Sequence, residues 1–292
     1  MRFSETGIES LVFVAGSKQN LHAGDLSQAL NLRPETLSRV TTSLVNMGLL
    51  EREGKEIAMA RTPAAEMFKR LYFAHRASPF PLLLADRRAD LLSRIEDEQK
   101  SVEDLEEETG IPRKTIYRYL KDFIHLGAVR RSRKGRAYVF SFNYILWKEL
   151  KDFVTALFDY QARSQVPREG LLIKSYGDSV LFKSLRSQDA TITSFSAYKD
   201  YGIELGLRDN YYTLPKRELS IKEIFVHSLD SAEDHRQRIF CILFYLNNTD
   251  KLSGVEHPMM RDLKAVLRGE RIEGYPSIEE IKDKADLYGI NL

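Results

Sequence analysis

Nine basic side chains fall within 24 residues of this sequence: Arg113, Lys114, Arg118, Lys121, Arg130, Arg131, Arg133, Lys134 and Arg136. Only Asp122 opposes them, which leaves a local net charge of +8 in a chain whose total is +2. Guanidinium and ammonium groups at this density suit a polyanion, because each can exchange a counterion for a phosphate oxygen. Thr115 and Tyr117 lie among them with the hydroxyls and reach that base edges require. Immediately upstream, Glu96 to Glu108 holds eight acidic residues and one base, Lys100, so the charge is sharply polarised along the sequence. Catalytic chemistry is harder to find. The phosphate-binding patterns GxxxxGK[ST] and GxGxxG, and the hydrolytic patterns HExxH and GxSxG, are absent. His227 and His235 flank Asp230 and Asp234, a set that suggests a metal or an acid/base pair but offers no convincing third ligand. The single cysteine, Cys241, sits in an apolar run as a core thiol and excludes a disulfide framework or a thiolate metal site. No enzyme, metal or cofactor is expected.

The elements that must carry the basic residues are legible from a repeat. Asp25 to Arg52 aligns without a gap on Asp104 to Arg131, with identity at Asp25/Asp104, Leu26/Leu105, Thr36/Thr115, Arg39/Arg118, Gly48/Gly127 and Arg52/Arg131. In the second copy Ser101 and Asp104 form the two ends of a capping box, and Thr109-Gly110 closes a short helix. Pro112 suits the first turn of a longer helix running to His125. Its apolar face is Ile116, Tyr119, Leu120, Phe123 and Ile124, which leaves Arg113, Lys114, Tyr117, Arg118 and Lys121 outward. Gly127 ends the helix, and Ala128 to Phe142 reads as a hairpin with glycine at its tip.

Short helix, turn, longer helix and hairpin is the order of a winged helix-turn-helix, and both copies resemble that family, over about residues 6–62 and 86–142. In the first copy Gly7 to Gly16 is the supporting helix, Asp25 to Leu30 the short one, Pro34 to Met47 the recognition helix and Leu49 to Met59 the wing. The resemblance implies double-stranded DNA as partner. It implies base reading from Arg113, Lys114, Thr115, Tyr117 and Arg118, with Lys121 beside them, and phosphate contact from Arg130, Arg131, Arg133, Lys134 and Arg136 on the wing. The first copy offers Thr36, Ser38, Arg39 and Thr42, but Glu51, Glu53 and Glu56 on its wing repel phosphate. Two readings stand for it: base reading supported by the affinity of the second copy, or contact with protein, including a second chain.

The whole chain is 43% hydrophobic and 29% charged, which suits a globular protein of two or three domains. The expected division is a first winged helix over 1–76, a linker over 77–85 marked by Pro79 and Pro81, a second winged helix over 86–142, an amphipathic connecting helix over 143–169 and a C-terminal α+β domain over 170–292. Tyr144 to Arg163 spaces Ile145, Leu146, Leu150, Phe153, Val154, Leu157 and Phe158 as one apolar face, for the core or for a homodimer seam. Strands are expected at Leu171–Tyr176, Asp178–Leu185, Ala190–Tyr198, Gly202–Leu207 and Tyr211–Leu214. Helices follow at Ile221–Ser228, Ala232–Asn247, His257–Arg268 and Ile278–Tyr288, two of them opened by the boxes Ser220–Glu223 and Ser277–Glu280. The fold class is therefore α+β and mostly helical.

Thr193 to Leu246, with Ser194-Phe195-Ser196, Tyr211-Tyr212-Thr213-Leu214-Pro215 and the helix start at Ser220 to Glu223, resembles the C-terminal domain of AbiEi-type antitoxins. That resemblance implies a repressor of its own operon with a nucleotidyltransferase-type toxin as partner. Met1 to Ala15 lacks a basic segment followed by an apolar stretch and cleavage site, and no apolar run is long enough to span a bilayer, so a cytoplasmic protein without a membrane partner is expected. The expectation overall is a sequence-specific DNA-binding regulator; the alternative is a winged-helix protein-interaction module.

Overall fold

Helices begin in this chain where side chains satisfy the first free amides. In the computed structural model, which describes residues 2–290 except Lys18, Asp97, Glu98 and Asp178, the capping boxes at Ser101/Asp104, Ser220/Glu223 and Ser277/Glu280 are all formed, and Asp234/Gln237 adds another. Ser4 and Thr62 cap two further helices by accepting the Gly7 and Ala65 amides. Asp97 and Glu98 of the acidic run, and Asp178 at the start of an expected strand, lie outside the described residues. The chain divides into two compact units, Met1–Gln161 and Ala162–Leu292. It is α+β and mostly helical. Among the described residues no helix is long and apolar enough to cross a membrane.

The N-terminal unit runs α1 (Glu5–Gly16), β1 (Leu21–His22), α2 (Ala23–Ala29), α3 (Pro34–Asn46), β2 (Leu50–Glu53), β3 (Glu56–Met59), α4 (Pro63–Ala74), α5 (Phe80–Leu84), α6 (Arg88–Arg94), α7 (Val102–Thr109), α8 (Arg113–His125), β4 (Val129–Lys134), β5 (Ala137–Phe142) and α9 (Tyr144–Gln165). Each copy is thus a short helix, a turn, a longer helix and an antiparallel hairpin, with β1 joining β3 in the first. One apolar core extends through both copies, from Phe3 to Leu157. At its centre the fully buried Phe68 ring meets Phe80 at 5.9 Å and Phe153 at 5.1 Å.

This core corrects one expectation and takes up one of two readings of another. Residues 77–85 are no free linker: Phe80, Leu83, Leu84 and Ala85 are buried, and Pro81 occupies the first turn of α5, where a missing N–H costs nothing. On α9 the core reading holds for Leu150, Phe153, Val154 and Leu157, which are buried inside the unit. Ile145 and Leu146 instead point to solvent, at 82% and 56% exposure, ahead of a kink at Trp147.

The C-terminal unit holds β6 (Gly170–Ser175), β7 (Val180–Ser184), β8 (Thr191–Ile192), a 3-10 helix at Ser194–Tyr201, β9 (Asn210–Leu214), α10 (Ile221–Ser231), α11 (His235–Asn247), α12 (Pro258–Leu267) and α13 (Ile278–Leu287). Its antiparallel sheet has the order β6-β7-β9-β8. The expected strand Ala190–Tyr198 shrinks to β8, because Phe195 and Tyr198 are three residues apart and both face the core beside Phe244, which suits three residues per turn. Gly202–Leu207 is irregular: Ile203, Leu205 and Leu207 alternate inward without a ladder partner among the described residues.

Replacing Phe68 by Ala is expected to destabilise the N-terminal unit by about 3–5 kcal/mol. Amide exchange should then accelerate in α3 and α8 together. Loss of protection in α3 with α8 unchanged would show two separate cores.

Candidate nucleic-acid interface

The position of α8 follows from what its inner face holds. Ile116, Tyr119, Leu120 and Phe123 are buried, whereas Ile124, expected on the same face, is 36% exposed. Arg88 on α6, itself buried, donates to Asp122 at 3.0 Å and to Asp86 at 3.2 Å, and its guanidinium lies 4.3 Å from the Tyr119 ring centroid. Asp122, the one carboxylate of the basic segment, is therefore turned inward and spent on a guanidinium. The end of the helix is tied by Trp147, whose indole donates to the Leu126 carbonyl at 3.0 Å, and by the Asn143 amide, which donates to Gly127 at 2.8 Å. Gly127 has a φ of 71°, a left-handed turn that sends the chain into β4.

The outer face is cationic. Arg113, Lys114, Tyr117, Arg118 and Lys121 are exposed and Thr115 is half-buried. Arg113 is already engaged, donating to Glu103 at 2.9 Å and Glu106 at 2.5 Å, and that bond holds the Glu106 carboxyl below its ordinary value. On the hairpin Arg130, Arg131, Arg133, Lys134 and Arg136 are all exposed. Arg130 donates to Asn143 Oδ1 at 2.6 Å, Arg133 to the Gly135 carbonyl at 3.2 Å, and Arg131 lies 4.7 Å from the Tyr138 ring centroid. Among the described residues, ion pairs with carboxylates in this region are made by Arg113, Lys100 and Arg88, and by none of the other named cations of α8 and β4–β5. Reading by residue type alone misses Arg88 and the exposed Tyr138, since neither stands apart from an ordinary surface residue in the sequence.

In the first copy Ser38, Arg39 and Thr42 are exposed on α3 and Thr36 is half-buried; with Pro34 and Glu35, the exposed three line a shallow depression. The Thr42 hydroxyl donates to the Ser38 carbonyl at 2.8 Å. Its hairpin carries Glu51, Arg52, Glu53, Lys55 and Glu56, with Glu56 accepting from Asn20 at 3.0 Å. This face is close to neutral.

The histidines and aspartates singled out in the C-terminal unit do not converge. His227 Nδ1 is 2.7 Å from Thr193 Oγ1, His235 faces Glu280 at 3.3 Å, and Asp234 caps α11. Glu223 is taken up by its capping box and by Arg217 at 2.6 Å. Asp230 accepts from Lys174 at 2.5 Å, from Tyr176, and faces His257 at 3.3 Å. Burial opposes ionisation of Asp230, but these donors outweigh it and hold the carboxyl at about 2. Burial pushes His227 down to about 4, and the Asp230 and Glu223 charges only partly oppose it. Among the described residues no group of three or more His, Cys, Asp or Glu side chains is placed to hold a metal ion. No protein-family model, curated protein or solved structure matches the chain.

The depressed value of His227 has a stability consequence. Its folded value lies below the ordinary 6.5, so its contribution is fully present above about pH 6.5 and is lost as the pH falls toward 4. Asp230 adds a second loss between 3.8 and about 2. Urea unfolding of the C-terminal unit, followed by exchange of the α10 amides, should show stability falling with a slope approaching one proton between pH 6.5 and 4. His227→Gln should flatten that slope; an unchanged slope would exclude His227 as its source.

Proposed function

We propose that the chain is a sequence-specific DNA-binding transcriptional regulator, with two winged helix-turn-helix modules in its N-terminal unit and a sensing or partner-binding C-terminal unit. One observation carries the reading: the outer face of α8 and the β4–β5 hairpin present cations of which most make no carboxylate ion pair among the described residues, while Asp122, the one acid within the basic segment, faces inward to Arg88. An exposed cationic face of this kind attracts a polyanion, and its placement on a helix followed by a hairpin suits a duplex with a groove and two phosphate ridges.

Roles follow from position. Arg118 and Tyr117 project from the second turn of α8, where a helix inserted into the major groove meets base edges. Lys114, Lys121 and the hairpin cations suit phosphate oxygens. Arg113 joins them only by exchanging Glu103 and Glu106 for phosphate, so its net contribution is smaller than its exposure suggests. For the C-terminal unit the likeness to AbiEi-type antitoxins supplies the proposed partner class, a nucleotidyltransferase-type toxin. A protein-interaction module is the rival, favoured by the acidic β2–β3 hairpin.

Salt dependence separates the two. Replacing Arg131, Arg133, Lys134 and Arg136 together by Ala should flatten the slope of log affinity for duplex DNA against log salt by about two to four units, at roughly 0.9 per lost phosphate contact. Base preference should survive, because phosphate contacts carry no sequence information. An unchanged slope with an intact circular dichroism spectrum would remove the hairpin from the interface.

A further inference from the structure

We propose that a single chain reads an imperfect inverted repeat in duplex DNA, with α8 on one half-site and α3 on the other. The inference rests on the DNA-binding reading above and adds the symmetry of the target.

The two copies correspond well beyond the repeat visible in sequence. The bridge between Leu21 and Ile57 recurs as the bridge between Lys100 and Phe140, a shift of 79 residues before the hairpin and 83 after it. The hairpin pair Leu50–Met59 recurs as Val129–Phe142 with the same two shifts. The Ala60 amide donates to the Leu49 carbonyl at 3.0 Å, as the Asn143 amide does to Ala128 at 2.9 Å. Correspondence therefore continues into the helices that follow, and α4 is the counterpart of α9.

These counterpart helices pack on each other antiparallel. Phe68 on α4 meets Phe153 on α9 at 5.1 Å, and His75, just past the end of α4, stacks on Trp147 at 4.2 Å, so positions rise along one helix as they fall along the other. With the shift of 83, Phe153 is the counterpart of position 70 and Trp147 of position 64. Position 68 thus meets 70 of the other copy, and 75 meets 64. The helices cross near position 69, where each faces its own equivalent, which is the pattern of a two-fold, isologous contact. The chain start repeats it: Phe3 bridges Asp86, the counterpart of position 7, while α5, the counterpart of positions 1 to 5, packs on α1. Copies arranged as a direct repeat would join unlike faces.

A two-fold relation makes α3 and α8 equivalent helices of an internal pair. Their solvent faces share two residues in the same setting: Thr36 and Thr115 are half-buried, and Arg39 and Arg118 are exposed. The backbone of duplex DNA has two-fold axes at every base pair and step, but its base edges share that symmetry only where the sequence is an inverted repeat. The neighbours differ, with Glu35, Ser38 and Thr42 in place of Lys114, Tyr117 and Lys121, so the half-sites differ in sequence and the repeat is imperfect.

The test uses the full chain and a pool of duplexes with random interiors. Enrichment should yield two unlike half-sites in inverted orientation at one fixed spacing, with one chain per duplex in sedimentation. Arg118→Ala should lose about tenfold or more on the enriched site and relax one half-site, and Arg39→Ala should relax the other. Both side chains are exposed, and circular dichroism checks the fold. A direct repeat, a lone half-site, two chains per duplex, or relaxation of the same bases by both variants would overturn the inverted-repeat inference while leaving DNA binding intact. Failure of the pool to enrich, with the fold intact, would overturn both.

Discussion

Phe68 has no solvent exposure, and the rings on either side of it come from the segment between the copies and from the helix after the second copy. Two modules of this size could each close a small core, yet the apolar side chains here pool into one. Pooling raises the fraction of surface buried, which is the difficulty that small modules face. Its structural consequence is rigidity between copies. Helix α3 packs on α1, α1 on α5, and α5 on α8, so the two exposed helices are held through packed elements rather than across a tether. The polar surface inherits its geometry from that core.

Electrostatics on this frame is a matter of where the acids go. Asp122 is adjacent in sequence to Lys121, but it faces Arg88, and Arg88 is shared with Asp86 and the Tyr119 ring. Burying a guanidinium between two carboxylates and an aromatic face offsets its desolvation and removes negative charge from the outer surface at the same time. The acidic helix α7 works in the opposite direction: Glu103 and Glu106 hold Arg113 at the rim of the cationic face. The usable charge is therefore displaced from the first turn of α8 toward Lys114, Arg118, Lys121 and the hairpin.

Local chemistry explains which parts were legible in the sequence. Capping boxes, Pro at a helix start and glycines in left-handed turns act within a few residues, and they mark α7, α8 and their hairpin, with Pro112 at the N-cap of α8 rather than inside its first turn. Pro79 and Pro81 obey the same local chemistry but admit two outcomes, a break or a helix start, and only burial of Phe80 and Leu84 by distant residues selects the second. Spacing alone also misplaced Ala190 to Tyr198, where the side chains of Phe195 and Tyr198 follow a three-residue turn rather than a strand. For the candidate interface the residue types were legible. The inward turn of Asp122 was not, because its partner Arg88 lies 34 residues away and carries no mark of burial in the sequence.

The unequal charge of the two copies suits the proposed division of labour between two related DNA-reading helices. Phosphate contacts supply affinity for any sequence, and their contribution scales with the number of cations. Base contacts supply discrimination and need few side chains. If both copies were as basic as the second, affinity for random DNA would rise along with affinity for the target, and the ratio between them would gain nothing. On the proposed reading, a neutral first copy that keeps Thr36 and Arg39 at the positions of Thr115 and Arg118 would add reading capacity without adding that background. Glu51, Glu53 and Glu56 on its hairpin would, on the same reading, act against binding to any duplex that α3 does not match, and discrimination would then lie in the copy that contributes least to the attraction.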